Sequence, residues 1–310
     1  MSKRIRRIIV LIISLALVAG AGFFAFHSLF PDFSVEKTTQ QVSKVTQMNK
    51  ADKANITTEE VHIQHDDINL FGRLYAPANY RSLQLPLIIL SHGYGSNADV
   101  FDSFAQKAAE QGYLLYTFDF YGGGPETRSG DPDMLDMSIQ TEKADLQSVL
   151  SYWKKQSFID SSYIYLAGFS QGGLISTMVA GEHPADVKAL ILVAPAFNIP
   201  DIVRQGMSTF GYSDISQVPA TVSYDNRTIG HRYIADALSY DVEKDQKAYN
   251  GPVLIIHGTA DDVVPYSYSE TASHVFSHAQ LVTLDGIGHS ADASSVMSAL
   301  PQLIAFLVKN

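Results

Sequence analysis

The chain of 310 residues contains no cysteine. Disulfides, thiolate metal sites and a cysteine nucleophile are therefore excluded, and stability has to come from an apolar core. Positive charge is scarce as well: 22 Lys and Arg stand against 32 Asp and Glu, a formal net charge of −10. Binding a polyanion needs a basic stripe, so no nucleic-acid partner is expected. Four of the cations, Lys3, Arg4, Arg6 and Arg7, sit together at the N-terminus with no acid among them, which leaves the remainder more acidic still. Charged residues make up only 17% of the chain and hydrophobic ones 46%, which is the balance of a folded domain with a sizeable core and not of a disordered chain. Long apolar runs are missing apart from one.

That run is Ile8 to Phe26, apolar or small at every position but Ser14. At about 1.5 Å per helical residue it is long enough to cross a hydrocarbon core of roughly 30 Å. The arginines before it belong in the cytoplasm by the positive-inside rule, so the expectation is a single-pass cell-membrane protein whose main domain is extracellular. Ala19-Gly20-Ala21 resembles a cleavage site, but the apolar run continues through Phe23, Phe24 and Phe26. An uncleaved anchor fits this better than a signal peptide, whose removal would make the chain secreted. Export without cysteine leans toward a bacterial surface protein. Residues 1–30 thus read as basic tip and anchor, 31–60 as a polar stalk, and 61–310 as the folded domain.

From Val61 the periodicity is that of strands, over Val61–His65 and Asn69–Tyr75 with a turn at Asp66-Asp67. Pro86–Ser91 is nearly continuous in apolar residues, as in a strand buried on both faces. Helices over Phe101–Gln111, Ile139–Lys155, Gly172–Glu182, Ser269–Phe276 and Ala291–Val308 alternate with strands at Tyr113–Asp119, Tyr163–Gly168, Ala189–Ala194, Val253–His257 and Gln280–Leu284. Such alternation demands an α/β fold with a mostly parallel sheet covered on both sides. One connection, from Ala194 to Val253, is far longer than sheet connections usually are. Its aromatic residues mark about 196–250 as an inserted lid, with Tyr233 and Tyr240 as candidates for a substrate-binding wall. The bland alternative is an excursion whose aromatics simply pack on the body.

Tyr165 to Leu174 reads as a strand turning sharply into a helix, with Gly168-Phe169-Ser170-Gln171-Gly172 at the turn, the G-x-S-x-G pattern of a nucleophile elbow. The serine is pushed into a strained backbone geometry, and a Cβ at Gly168 or Gly172 is expected to clash where strand and helix pass close together. A serine nucleophile needs a base, and the base needs a carboxylate to orient it. His257-Gly258-Thr259-Ala260-Asp261 follows a strand and offers Asp261 as the acid, with Asp262 expected to face water. His289, in a glycine-flanked loop after the last strand, is the expected base, since of the ten histidines it alone lies after the acid, at a sheet end and before the terminal helix. The oxyanion of a tetrahedral intermediate needs two backbone donors, for which the amides of Tyr94, in Ser91-His92-Gly93-Tyr94-Gly95, and of Gln171 are the candidates. The glycines of Asp119 to Pro125 lack the spacing of a phosphate loop and read as a flexible loop near the pocket. His274 and His278 are spaced i, i+4, but with no third ligand apparent they read as a solvated helix face, so no metal and no cofactor are expected.

With these four motifs in order, the chain from about Val61 onward resembles the serine α/β-hydrolases. The His92-Gly93-Tyr94-Gly95-Ser96-Asn97 and Gly168-Phe169-Ser170-Gln171-Gly172-Gly173 segments, with the long insertion, are most similar to the bacterial cinnamoyl and feruloyl esterase branch. The resemblance implies an α/β-hydrolase fold, an insertion capping the pocket, and a small-molecule ester substrate. It also implies hydrolysis through an acyl-enzyme by Ser170, His289 and Asp261. A peptidase or acyltransferase uses the same triad, and a silent surface-binding module is the non-enzymatic alternative, though such a module normally lacks a triad member. The oligomeric state stays open.

Overall fold

The computed structural model describes residues 55–130, 133–224, 227–289 and 300–310. The expected membrane segment Ile8–Phe26, most of the expected stalk and residues 291–299 of the expected last helix lie outside these. Among the described residues no helix is long and apolar enough to cross a membrane.

In chain order the strands are Ile56–His65 (β1), Ile68–Pro77 (β2), Leu85–Ser91 (β3), Leu114–Phe118 (β4), Ile159–Phe169 (β5), Ala189–Val193 (β6), Thr221–Tyr224 (β7), Arg227–Gly230 (β8), Val253–Gly258 (β9) and Ala279–Leu284 (β10). Eight of them form one sheet in the order β1-β2-β4-β3-β5-β6-β9-β10, while β7 and β8 make a separate hairpin. β1 and β2 are antiparallel, as are β2 and β4, and every other neighbour in the large sheet is parallel. The fold is the α/β-hydrolase fold. β1 starts at Ile56, ahead of the expected Val61, because Ile56–Glu60 pairs in register with Arg73–Pro77. The end of the expected stalk is thus an edge strand, whose one solvated face explains its polar composition.

The helices are Asp102–Glu110 (α1), Ile139–Trp153 (α2), Gln171–Glu182 (α3), Ile199–Phe210 (α4), His231–Ser239 (α5), Val242–Ala248 (α6), Ser267–Val275 (α7) and Leu300–Lys309 (α8). Strand side chains alternate between two cores, as the period of two requires. Leu87 and Ile89 of β3 face one core with Leu146, Val149 and Trp153 of α2 and Leu174 and Met178 of α3. Ile88 and Leu90 face the other with Ala105 and Ala109 of α1 and Leu303, Phe306 and Leu307 of α8. α3 is buried at every residue from Gln171 to Ala180, so its N-terminus opens from inside the molecule. α2 is started by a capping box in which Ser138 accepts from the Thr141 amide and the Thr141 hydroxyl accepts from the Ser138 amide.

The long connection between β6 and β9 holds α4, the β7–β8 hairpin, α5 and α6. Met207, Val218 and Ile234 give it a small core of its own, while Tyr233, Ala237 and Tyr240 join the main core. The expectation of a long insertion matches this organisation, whereas its action as a lid is a separate matter of function.

Candidate active site

Ser170 stands between β5 and α3 with φ 53° and ψ −120°. A non-glycine residue rarely takes a positive φ, and it persists here because the neighbours leave no alternative. The Ser170 amide donates to the Val193 carbonyl at 2.9 Å, and the Ser170 carbonyl accepts from the amides of Gly173 at 3.0 Å and Ala196 at 2.9 Å. A Cβ at either glycine would clash, as expected. A Cβ on Gly168 would lie 2.2 Å from the Gly172 carbonyl oxygen, and one on Gly172 would lie 2.2 Å from the Ser91 oxygen and 2.5 Å from the His92 oxygen. The turn is therefore tight on two sides, against the following helix and against the β3 exit.

The hydroxyl of Ser170 lies 3.0 Å from His289 Nε2, and His289 Nδ1 lies 2.7 Å from Asp261 Oδ2. A carboxylate only accepts, so Nδ1 carries the proton and Nε2 is left to accept from the serine. The two loops carrying acid and base are tied to each other: the amides of Thr259 and Ala260 donate to the Leu284 and Ile287 carbonyls, each at 3.0 Å. Gly258 permits this approach, since a Cβ there would meet the Ile287 oxygen at 2.1 Å. Asp261 Oδ1 also accepts from the amides of Val263 at 2.9 Å and Val264 at 2.8 Å. Burial raises the Asp261 pKa, but the His289 bond and these amides outweigh it and hold the carboxyl below its ordinary range. Asp262 is exposed.

A second histidine shares that carboxylate, and sequence reasoning passed over it as the lead into the acid loop. His257 Nε2 lies 2.9 Å from Asp261 Oδ2 and 3.0 Å from the Val264 carbonyl, while Nδ1 lies 2.6 Å from the Ser269 hydroxyl. Two acceptors at Nε2 place the proton there, and the serine hydroxyl donates to Nδ1. Burial pushes the His257 pKa down despite Asp261, so the ring is neutral at pH 7.

The segment proposed for the oxyanion lies directly against the nucleophile. A Cβ on Gly93 would sit 3.2 Å from Ser170 Cβ. His92 shapes this turn from within: its Nδ1–H donates to the Gly93 carbonyl at 2.8 Å and its Nε2 accepts from the Phe120 amide at 3.0 Å. The glycine cluster at 122–124, expected as a flexible loop near the pocket, packs behind the turn. Gly95 donates to the Gly123 carbonyl at 2.8 Å, and a Cβ on Gly124 would meet the Ser96 oxygen at 2.2 Å. Buried Asp119 fastens it, accepting from the Ala98 amide at 2.8 Å and from Arg128 Nε at 2.8 Å.

Gln171 is the first residue of α3, where helix geometry leaves the amide without an intrahelical acceptor. Its side chain is held at both ends: Tyr233 donates its hydroxyl to Oε1 at 2.6 Å, and Nε2 donates to Glu142 Oε2 at 2.8 Å. Glu142 on α2 is buried, and that burial, only partly countered by Gln171, raises its pKa well above the carboxylate range. Sequence reasoning missed Glu142 because an acid in an amphipathic helix reads as part of the solvated face.

The two tyrosines expected in the wall are placed differently from that expectation. Tyr233 is buried beside Tyr94, ring centroids 5.9 Å apart and edge to face. Tyr240 donates to Asp245 Oδ2 at 2.8 Å and lines a groove of about 570 Å³ with Asp201, Gln246 and Tyr268. That groove's lining includes none of Ser170, His289, Tyr94 or Gln171, and the Tyr240 ring packs in the main core. The expected His274–His278 pair does not share a helix, because α7 ends at Val275. His274 Nδ1 donates to the Glu270 carbonyl and His278 Nδ1 to the Asn250 carbonyl, and among the described residues no cluster suited to a metal is present.

Residues 85–222 match the family model for serine aminopeptidases, and residues 234–309 match that for TAP-like proteins. Among solved structures, Est1E from Butyrivibrio proteoclasticus with bound ferulic acid superposes with a TM-score of 0.71 at 29% identity, covering 81% of this chain and all of that one. Lipase 3 of a Moraxella species is 23% identical over 250 residues, 71% of this chain and 76% of the lipase. Lipase 1 of Psychrobacter immobilis is 24% identical over 65% of this chain and 70% of its own length.

Proposed function

This chain belongs to the serine α/β-hydrolases, and from that footing we propose that it hydrolyses carboxylic esters through a covalent acyl-enzyme. The observation that carries the reading is the hydrogen-bond relay from Ser170 through His289 to Asp261, with each donor facing an acceptor. As Ser170 Oγ attacks the ester carbonyl, its proton passes to His289 Nε2, and Asp261 balances the charge that forms on the imidazole. The carbonyl oxygen becomes an oxyanion received by the amides of Tyr94 and Gln171. When the C–O bond breaks, His289 returns the proton to the departing alkoxide, leaving Ser170 acylated. Water then repeats the sequence as nucleophile, giving the acid and free Ser170.

Small acyl and hydroxycinnamoyl esters are the proposed substrates. Aromatic side chains close to the elbow and the likeness to a ferulate-bound esterase support this. The match to serine aminopeptidases favours a second reading, a peptidase with the same triad, which turnover of aminoacyl amides but not of aryl esters would establish. The domain is also proposed to be held at the cell surface by Ile8–Phe26, on the strength of its apolar run behind a basic tip. Ser170→Ala tests the enzymatic reading: turnover of a panel of acetyl, long-acyl and hydroxycinnamoyl esters and labelling by a fluorophosphonate should both vanish while the fold persists. Retained labelling at another serine would place the nucleophile elsewhere.

A further inference from the structure

We propose that Tyr233 is a positioning residue for the oxyanion hole, a single side chain of the insertion that braces both residues whose amides receive the oxyanion. This rests on the esterase reading above. The Tyr233 ring packs edge to face on Tyr94 at 5.9 Å, and its hydroxyl donates to Gln171 Oε1 at 2.6 Å. Tyr94 and Gln171 lie on different segments, one after β3 and the other at the start of α3. The strand pairing that relates the two segments ends at Ser91 and Gly168, short of both amides, yet an oxyanion needs both donors within about 0.5 Å of the productive position. A rigid side chain touching both supplies that register.

The brace is anchored on its far side. Gln171 Nε2 donates to Glu142 Oε2 at 2.8 Å, so the carboxamide is clamped between α5 of the insertion and α2 of the body. Gln171 and Glu142 are each 1% exposed and Tyr233 6%, so water has little access to replace a lost bond. Glu142 Oε1 has no hydrogen-bond partner in the structure, and a neutral carboxyl tolerates such a site where a carboxylate would not. A neutral acid also accepts from Gln171 through its carbonyl oxygen just as an amide would.

A brace and a substrate wall predict different kinetics. A wall contacts the acyl group and changes selectivity, whereas the oxyanion forms identically on every ester. Tyr233→Phe keeps the ring on Tyr94 and removes only the hydroxyl. Loss of a whole oxyanion donor costs about 10² to 10³ in turnover, so loosening one should lower kcat by roughly tenfold. That loss should be equal for acetyl and hydroxycinnamoyl aryl esters, with KM changed less than about twofold. The inhibition constant of a trifluoromethyl ketone, which forms a tetrahedral oxyanion on Ser170, should rise by the same factor, and fluorophosphonate labelling of Ser170 should slow. Glu142→Gln, which keeps the acceptor, should recover the activity that Glu142→Ala loses. Loss confined to bulky acyl groups, or unchanged ketone affinity and labelling rate, would overturn the brace. The esterase reading stands or falls separately, on Ser170→Ala.

Discussion

Replacing His257 with leucine tests whether the triad's acid is held by a neutral, buried second histidine. The ring is 1% exposed and makes three hydrogen bonds: Nδ1 with Ser269 at 2.6 Å, and Nε2 with Asp261 at 2.9 Å and with the Val264 carbonyl at 3.0 Å. Leucine leaves the Val264 oxygen and the Ser269 hydroxyl without these partners, at about 1–3 kcal/mol each, and returns part of that through its own burial. A net loss of about 2–4 kcal/mol is expected from urea unfolding at pH 8. The pH dependence is the sharper test. Burial lowers the His257 pKa from 6.5, so above pH 6.5 the residue is neutral both folded and unfolded and its contribution is complete. As pH falls below 6.5 the unfolded chain takes up a proton that the folded chain binds less readily, and wild-type stability drops more steeply than the variant's, by at most about 1.4 kcal/mol per unit. The gap between the two proteins should therefore narrow from pH 6.5 to 5.5. A gap constant over that range would mean that His257 titrates alike in both states. A gap that widens would mean that it is protonated opposite Asp261.

The acid itself gives a paired test: Asp261→Asn should lower kcat by about 10⁴ by leaving the imidazole in the wrong tautomer, while exposed Asp262→Asn should change it little. Greater damage at Asp262 in steady-state ester kinetics would show that the acid loop acts in a different register. At the elbow, Gly172→Ala places a Cβ 2.2 Å from the Ser91 oxygen, and because both contacts are backbone the strand exit has to move. A destabilisation on the order of 3 kcal/mol with loss of turnover is expected, and a stable, active variant would contradict the close packing at this crossing.

The parts legible in the sequence were those whose physical demand is local. β3 reads as Leu85–Ser91 with every residue buried, and a strand covered on both faces has no option but an unbroken apolar run. Gly168 and Gly172 announce the elbow because the atoms they avoid belong to the elbow itself and to the exit of the neighbouring strand β3. Ser170, Asp261 and His289 can be picked out one motif at a time, although the bond between serine and histidine spans 119 positions. What stayed hidden depends on direction, not on pattern. Glu142 and Asp145 occupy helix positions where an acid ordinarily meets water, and only the packed molecule turns them inward. His257 looks like the end of a strand until Ser269, from α7, is brought to its other nitrogen. Tyr233 and Tyr240 share one composition and one insertion, yet one hydroxyl reaches Gln171 and the other Asp245, which residue type alone does not distinguish.

Those two inward acids explain why α2 matters to a site it does not line. Asp145 Oδ2 accepts from the Tyr121 amide at 2.9 Å, and Oδ1 takes His65 Nδ1 at the same distance. Tyr121 opens the glycine segment whose Gly123 carbonyl receives the Gly95 amide, so this chain of contacts ends on the Tyr94 side of the proposed oxyanion hole. One turn earlier Glu142 takes Gln171, and that chain ends on the other side. A helix is stiff over one turn, so the separation of Glu142 and Asp145 on α2 is carried to both amide-bearing segments at once. Burial raises the pKa of both acids, a cost in charge solvation that a purely structural helix avoids by using leucine. Two buried acids one turn apart on α2 fit a helix that serves as the rule against which the two proposed donors are set.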